Sequence, residues 1–378
     1  MERVVITGMG AITPVGNDVP SFWESLKTGK CGIGPITKFD VSDFKVKLGA
    51  EVKNFDPTQY MEKREARRAD ANVHYAMAAA VQAVEQAGLK EGNFDPYRTG
   101  VIFGSGVGGL HVAEQEVPKL LEKGPGRVSP FAIPEMIANI AAAYISMHFG
   151  FKGENFCPVS ACATGNHSIG EAMRAIRHGY QDVVVCGGTE NGIIPISMAG
   201  FQNMKAVHMG EDPTAASIPF DARRSGFVMG EGAGCLVLES LTHAQQRGAT
   251  ILAEVAGYGA SGDAYHITSP SPDGDAAAHA IRGAIEDAGL TPADVDYINA
   301  HGTSTPLNEK YETTAIADTG IASEKIVLGG DEYFVLGDNR ESSEDSRMAD
   351  IGNVKRSEIE GKVWFILSPK DRFGLLGK

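Results

Sequence analysis

Residues 69–89 read ADANVHYAMAAAVQAVEQAGL, and residues 275–290 read DAAAHAIRGAIEDAGL. Both segments carry alanine and other apolar residues at helical spacing, and both end in Ala-Gly-Leu. Apolar residues that recur every three or four positions and are followed by glycine predict a helix that ends at that glycine. The chain therefore contains two copies of one helical segment.

Each predicted helix lies between two short apolar segments. Val4–Ile6 and Gly100–Phe103 flank the first copy, while Leu252–Val255 and Val295–Ala300 flank the second. A glycine-rich turn, Gly257-Tyr258-Gly259, follows the first strand of the second copy. Two copies of a βαβ-type unit predict a duplicated α/β fold with mostly parallel, buried sheets. Less chain follows the second copy than the first, so we expect a truncated second repeat.

Composition sets limits on the class of protein. The chain has 378 residues, of which 43% are hydrophobic, and a net charge of −14 at pH 7. Such a charge repels polyanions, so nucleic acid is not an expected partner. Five cysteines without a C-x-x-C pattern argue against a disulfide framework and a zinc site. No apolar run is long enough for a membrane span, and we expect a soluble, cytoplasmic protein without a membrane anchor.

One cysteine lies in a setting that suggests reactivity. Cys162 falls within Pro158–Gly165, ahead of an amphipathic segment, Ser168–His178, that should be a helix. A thiol at a helix N-terminus lies at the positive end of the helix dipole, which favours the nucleophilic thiolate. The alternative is a buried cysteine that only fills space.

The residues around Cys162, together with four further motifs, carry a resemblance to a known family. The motifs are Ser160-Ala161-Cys162-Ala163-Thr164-Gly165, Ile218-Pro219-Phe220-Asp221, Gly226–Gly234, Asp263-Ala264-Tyr265-His266 and His301-Gly302-Thr303-Ser304-Thr305-Pro306. In this order they resemble the β-ketoacyl synthase family, in its type II, carrier-protein-dependent class, over residues 1 to about 316. The resemblance implies a thiolase-like α/β fold and the decarboxylating Claisen condensation of fatty-acid elongation.

The resemblance also implies a role for individual residues. Cys162 would accept the acyl group as a thioester, and His301 would stabilise the enolate formed when carbon dioxide leaves. Thr303 and Thr305 match positions that bind the phosphopantetheine arm. Val107 matches a residue that lines the acyl pocket, and His266 is a further substrate-binding candidate. The family needs no cofactor besides the phosphopantetheine of the acyl carrier protein, and a homodimer is expected.

A cluster of cations in this acidic chain suggests where the carrier protein binds. Arg64, Arg67 and Arg68 lie close together, and they match docking positions of the family, as does the distant Lys205. An acidic carrier protein would be steered by such a patch. The alternative is a solvated start of a helix.

The segment Gly104-x-Gly106-x-x-Gly109 also fits the dinucleotide-binding fingerprint. No acidic residue that could bind a ribose ends a following strand, and the same glycines belong to the synthase pattern. A dinucleotide-dependent oxidoreductase is therefore a competing hypothesis with little support.

Beyond about residue 316 the sequence changes character. The family's Lys-Ser-Met-Thr-Gly-His motif, which carries a second catalytic histidine, does not follow. Residues 317–378 instead resemble a C-terminal fragment of a type I signal peptidase. The matching box contains Asp338, Arg340, Ser343, Asp345 and Arg347.

In signal peptidases the charged residues of this box form salt bridges, and the serine orients a catalytic lysine. The alternative is a polar turn between two strands. The nucleophilic serine before Met-x-Pro and the lysine base are both missing, so the sequence predicts a β-rich fragment without peptidase activity.

The sequence thus predicts three segments: an N-terminal synthase half at 1–250, an incomplete C-terminal half at 251–316, and the peptidase-like fragment at 317–378. Because the second histidine is missing, we expect impaired condensation. The alternatives left open are a carrier-protein binder without catalysis and a signal-peptidase-related fusion that lacks its Ser-Lys dyad.

Overall fold

The computed structural model describes residues 1–321 and two short strands further along the chain. The helices are α1 (Val19–Lys27), α2 (Lys63–Ala66), α3 (Ala71–Ala87), α4 (Leu110–Lys123), α5 (Ala132–Met136), α6 (Ile140–Phe149), α7 (Thr164–Arg177), α8 (Pro195–Asn203), α9 (Leu241–Gln246), α10 (Asp275–Asp287) and α11 (Asn308–Asp318). The strands are β1 (Val4–Ile12), β2 (Gly34–Pro35), β3 (Leu48–Gly49), β4 (Thr99–Gly104), β5 (Asn155–Phe156), β6 (Val183–Asn191), β7 (Glu231–Ser240), β8 (Ala253–Glu254), β9 (Glu332–Tyr333) and β10 (Val354–Lys355).

The chain divides into two compact units that alternate along the sequence. The first contains Met1–Leu26, Lys30–Asn203 and Met229–Ala256. The second contains Lys27–Gly29, Met204–Val228 and the residues from Gly257 onward. Residues 204–228, which precede the predicted second half in sequence, therefore fold with it.

The first unit is built on a six-stranded sheet of order β5-β4-β6-β7-β1-β8. Strand β4 pairs in parallel with β5 and β6, whereas the β6–β7, β7–β1 and β1–β8 pairings are antiparallel. The prediction of mostly parallel pairing is wrong. A strand buried on both faces is an apolar run whichever way it points, so the sequence pattern does not reveal its direction.

Helix α3 confirms the first predicted helix and lies in the core of this unit. Asp70 caps its start by accepting the Asn72 N–H, and Gly88 ends it in the left-handed conformation, with φ of +67°. Its alanines lie directly on β1. A Cβ added at Gly10 would lie 1.9 Å from the Ala79 carbonyl oxygen, so glycine is required for this contact.

The second unit repeats this contact. Helix α10 confirms the second predicted helix, and Cβ atoms added at Gly257 and Gly259 would lie 2.1 Å from the carbonyl oxygens of Ala284 and Ala280. A Gly-x-Gly backbone thus packs on small residues of a helix in both units. This shared contact supports the duplication inferred from the sequence.

The strands predicted for the second copy differ from the structure. Residues 295–300 form no strand, and only Ala253–Glu254 of the predicted strand Leu252–Val255 is a strand. Strand β8 pairs with β1 in the sheet of the first unit. A strand requires a neighbouring strand to bond its N–H and C=O groups, and within residues 1–321 the segment 295–300 has none.

Beyond residue 321 the structure describes only two short strands. Strands β9 and β10 pair in antiparallel fashion, in a region that was predicted to be β-rich. The predicted box residues, Asp338, Arg340, Ser343, Asp345 and Arg347, lie outside the described residues. Within the described part of the chain, no helix has the length and apolar character needed to span a membrane.

Candidate active site

Cys162 lies on a tight turn directly before α7. One turn of 3-10 helix, Ala161–Ala163, leads into the helix, which begins at Thr164, four residues earlier than predicted. Ala161 has φ of +51°, a conformation that costs energy for any residue with a side chain. The Cys162 side chain is exposed. The turn therefore presents the thiol at the positive end of the helix dipole, as the sequence predicted.

Three hydrogen bonds hold the turn in place. The Ser160 N–H donates to Thr164 Oγ1 over 2.9 Å, and the Ser160 hydroxyl lies 2.5 Å from His167 Nδ1. The Ser168 hydroxyl donates to the Thr164 carbonyl over 2.9 Å. The end of β4 packs against the same place, because a Cβ at Gly104 would lie 2.1 Å from Thr164 Cγ2. These contacts hold the residues on either side of Ala161, the strained residue before Cys162.

The other cysteines lie in different surroundings. Cys186 and Cys235 are buried, and burial raises the pKa of each thiol well above its usual range. Burial also raises the pKa of the half-buried Cys157. Only Cys31 shares the exposure of Cys162, and it does not precede a helix.

His301 lies in the second unit, on a loop held by an acidic side chain of α11. Glu312 accepts the His301 N–H over 2.6 Å, the Gly302 N–H over 3.0 Å and the Asn308 side-chain amide over 3.0 Å. The side-chain hydroxyls of Thr303 and Thr305 lie 2.9 Å apart, so the two predicted phosphopantetheine-binding residues are neighbours.

A buried ion pair holds the other end of the loop. Glu309 accepts the Ser304 N–H and pairs with Arg224 Nε at 3.1 Å. Arg224 also donates to the carbonyls of Thr305 and Pro306, each over 2.9 Å. Sequence reasoning missed Glu309, Glu312 and Arg224. Two acids three residues apart on a helix directly after the His301 motif were the signal that could have found the first two.

Two of the motifs around Asp221 and Gly226 contact this loop. The Ile218 N–H donates to Ser304 Oγ over 3.0 Å, and the Gly226 N–H donates to the Ser304 carbonyl over 2.9 Å. Ser304 itself has φ of +65°. These motifs therefore shape the backbone that carries His301.

Two predicted substrate-binding residues lie on exposed loops. His266, in the second unit, accepts the N–H groups of Thr268 and Ser269 at Nδ1, each over 3.1 Å. Val107, in the first unit, is 53% exposed on the loop between β4 and α4.

The predicted docking residues are all exposed. Arg64 lies in α2, Arg67 follows it, and the Arg68 guanidinium stacks 4.5 Å from the Phe131 ring centroid. Lys205 lies in the second unit, with φ of +55°. A groove of about 420 Å³ adjoins the arginines and is lined by Arg64, Glu65, Arg68, Phe131, Pro134, Glu135, Ile140, Tyr144 and Met147.

Family models match most of the chain. The N-terminal domain of β-ketoacyl synthase matches residues 1–244, and the C-terminal domain matches residues 252–329. A model of signal peptidase, peptidase S26, matches residues 291–368 and so overlaps the synthase match over residues 291–329.

The names of individual relatives agree with the two synthase-domain matches. A protein of Synechocystis named 3-oxoacyl-[acyl-carrier-protein] synthase 2 is 46% identical over 355 residues, which cover 94% of this chain and 83% of the relative. A Staphylococcus aureus protein of the same name is 48% identical over 318 residues, or 84% of this chain and 77% of the relative.

Solved structures show the same fold. A β-ketoacyl synthase from Burkholderia phymatum matches with a TM-score of 0.78 and 33% identity, over 84% of this chain and 78% of that one. A type II PKS ketosynthase, solved in complex with its acyl-carrier protein, matches with a TM-score of 0.75 and 31% identity over the same shares. The thiolase-like fold and the two domain matches together show that this chain belongs to the β-ketoacyl synthase family.

Proposed function

We propose that this protein catalyses the decarboxylating condensation of acyl-carrier protein with malonyl-carrier protein in fatty-acid elongation. The observation that carries the proposal is the exposed Cys162 on a strained turn at the start of α7, in a chain 46% identical to a 3-oxoacyl-[acyl-carrier-protein] synthase 2. A thiolate at a helix N-terminus is a good nucleophile, and its thioester is a good acyl donor.

The reaction has two steps. The Cys162 thiolate attacks the thioester carbonyl of the acyl-carrier protein, and the phosphopantetheine thiolate leaves. The C–C bond to the malonyl carboxylate then breaks, releasing carbon dioxide, and the resulting enolate attacks the carbonyl on Cys162. A carbon–carbon bond forms, and the Cys162 thiolate is released. A hydrogen bond from His301 stabilises the enolate oxygen in the second step.

The remaining predicted residues bind the substrate and its carrier. Thr303 and Thr305, whose hydroxyls are neighbours, hydrogen-bond the phosphopantetheine arm. Val107 and His266 contact the substrate. Arg64, Arg67, Arg68 and Lys205 attract the acidic carrier protein. No cofactor other than the carrier's phosphopantetheine takes part.

The condensation step of this chain is impaired. His301 is the last histidine of the sequence, so the second catalytic histidine expected from the family is missing. Loss of one preorganised hydrogen-bond donor costs roughly 2.7–4 kcal/mol of transition-state stabilisation. Acylation of Cys162 depends on the nucleophile and its helix, and it should therefore survive better than malonyl decarboxylation.

A two-step assay tests the proposal. The protein is incubated with acyl-carrier protein and then with malonyl-carrier protein, and the masses of protein and product are determined. We expect an acyl adduct on Cys162 and slow product formation. Absence of the adduct, with the Cys162→Ala variant as control, would refute the function. Product formation as fast as in a complete synthase would refute the impairment.

A second proposal concerns the origin and activity of the tail, residues 317–378. In this proposal residues 317–378 derive from a signal peptidase, and the part of the peptidase-family match that extends beyond the synthase match at residue 329 supports this origin. Because the Ser-Lys dyad is missing, we expect no cleavage of a preprotein. Cleavage by this chain that survives Ser343→Ala would contradict this interpretation of the tail.

We further propose that the protein is a cytoplasmic homodimer. Within each chain, we place the boundaries between the three segments near residues 250 and 316. Light scattering coupled to gel filtration measures the mass in solution, and a monomer at all concentrations would refute the dimer. A carrier-protein binder without catalysis remains the alternative. It predicts binding of the carrier protein without any adduct on Cys162.

A further inference from the structure

Glu190, at the end of β6, lies beside the loop that joins β4 to α4. One carboxylate oxygen accepts the Gly106 N–H over 2.8 Å, and the other accepts the Ser105 hydroxyl over 3.1 Å. The Val107 N–H also donates to this carboxylate. A single acid thus bonds three consecutive residues of the glycine-rich segment.

This loop has the arrangement of an anion-binding site. It follows a strand and precedes a helix, and its glycines leave the backbone N–H groups accessible. In a dinucleotide-binding protein those groups would bind a phosphate. Here the Gly106 and Val107 N–H groups bind Glu190, the Gly108 N–H donates to Ser105 Oγ, and the Gly109 N–H donates to the Met136 carbonyl. The four successive N–H groups from Gly106 to Gly109 thus already have acceptors, and none of these four is left for a phosphate.

The distances around Gly106 also indicate that Glu190 occupies the place of a bound anion. A Cβ at this position would lie 2.8 Å from Glu190 Oε2 and 3.8 Å from the Ala161 Cα and carbonyl oxygen. Gly106 therefore lies close to both the Glu190 carboxylate and Ala161, the strained residue before Cys162. Burial raises the pKa of the Glu190 carboxyl, and the N–H groups of the loop oppose that rise.

We propose that Glu190 is the resident anion of the Gly104–Gly109 loop and acts as a positioning residue that fixes Val107 beside the nucleophile turn. The loop then has one conformation, and the position of Val107 restricts the acyl chains that can be transferred to Cys162. The part concerning acyl chains rests on the proposed function. The anchoring of the loop does not.

The first test measures backbone hydrogen exchange over residues 104–109. Glu190→Gln keeps the size of the side chain but replaces one acceptor oxygen with a donor. Because buried N–H groups then lose their acceptor, we expect exchange at Gly106 and Val107 to rise about tenfold or more. The matched control is Glu171→Gln, which removes the charge of a surface ion pair with Arg174 on α7. Exchange within twofold of the wild type, or an equal rise in the control, would overturn the proposal.

The second test compares acylation of Cys162 from carrier proteins that bear short and long acyl chains. We expect Glu190→Gln to change the long-to-short ratio of kcat/KM by about tenfold, the scale on which pocket contacts discriminate chain length. A uniform loss for all chains, with an unaltered ratio, would overturn the positioning role. If the wild type itself forms no adduct, the proposed function fails, and the exchange experiment still decides the role of Glu190.

Discussion

The residues that carry the proposed chemistry are distinguished by their surroundings and not by their type. The chain has five cysteines, yet only Cys162 combines exposure with a position directly before a helix. Because burial raises the pKa of Cys157, Cys186 and Cys235, little thiolate exists at these positions near neutral pH.

The first prediction concerns alkylation of these thiols. With limiting iodoacetamide at pH 7, we expect Cys162 to react about tenfold faster than Cys31, since a helix N-terminus favours the thiolate. Mass mapping of the native protein measures the order, and Cys31→Ser serves as the control. Labelling of Cys31 or Cys235 before Cys162 would show that the nucleophile is assigned wrongly.

The second prediction concerns the backbone that carries His301. Glu312 accepts both the His301 and the Gly302 N–H, and glutamine cannot replace both acceptors in the same geometry. We expect Glu312→Gln to lower malonyl decarboxylation about 10- to 100-fold, because displacement of a catalytic group by an ångström costs that much. Acylation of Cys162 should stay within twofold.

The control for this variant is Glu286→Gln, an exposed glutamate of α10 in the same unit. Equal losses in acylation and decarboxylation would mean that Glu312 supports the whole fold, and not the loop of His301 in particular.

At the scale of elements, close backbone approaches fix how β4 and β1 meet their helices. A methyl group at Gly104 would overlap Thr164 Cγ2 at 2.1 Å and approach Ser168 Oγ at 2.9 Å. We expect Gly104→Ala to lower the free energy of unfolding by about 1–3 kcal/mol, the usual cost of overpacking. Thr164→Ser removes Cγ2 and should restore part of the loss.

Chemical denaturation measures both effects. Gly200→Ala, in α8, is the control, since a Cβ there would meet nothing within 4 Å. A Gly104→Ala protein as stable as the wild type would show that β4 and α7 can separate without cost.

A buried acid of β7 makes the stability of the first unit depend on pH. Burial alone would raise the pKa of Glu239, but hydrogen bonds from Arg247, His243 and Thr7 lower it to about 2. The ionised form is therefore stabilised by folding. This stability is fully present above the unfolded pKa of about 4.3 and is lost as the pH falls towards 2.

The size of this effect is on the order of 3 kcal/mol, from about 1.4 kcal/mol for each unit of pKa. Urea titrations between pH 7 and pH 2.5 measure it. In Glu239→Gln this pH dependence should disappear, whereas Glu171→Gln, at a half-buried acid of α7 that pairs with Arg174, should retain it. An unaltered pH dependence in Glu239→Gln would contradict the assignment.

At the scale of the whole molecule, we expect charge distribution to govern binding of the proposed carrier protein. The chain carries −14 overall, while Arg64, Arg67 and Arg68 lie exposed within five residues. For an acidic carrier protein, such a patch raises the association rate at low salt. We expect Arg64→Glu to raise KM for the acyl-carrier protein about tenfold with little change in kcat, and to weaken its dependence on salt.

The matched control is Lys90→Glu, a charge reversal at another exposed position of the first unit. An equal rise in KM for both variants would assign the effect to net charge. A rise in KM restricted to Arg64→Glu assigns the effect to the patch formed by Arg64, Arg67 and Arg68.

The sequence by itself determined the family and the two helices α3 and α10, and it singled out Cys162 ahead of a helix and the motif that contains His301. These features depend on local patterns: an apolar repeat that ends at glycine, a cysteine before a helix, and a short motif around His301. The resemblance also implied that Thr303 and Thr305 bind the same phosphopantetheine arm, and their hydroxyls lie 2.9 Å apart.

Tertiary structure alone decided the strand directions, the loss of the strand expected at residues 295–300, and the acids that hold the loops. Glu190 and Gly106 are 84 residues apart in sequence, and Arg224 and Glu309 are 85 apart. The direction of a buried strand and the partner of a buried carboxylate depend on which segments become neighbours after folding. No local pattern of residues records that choice.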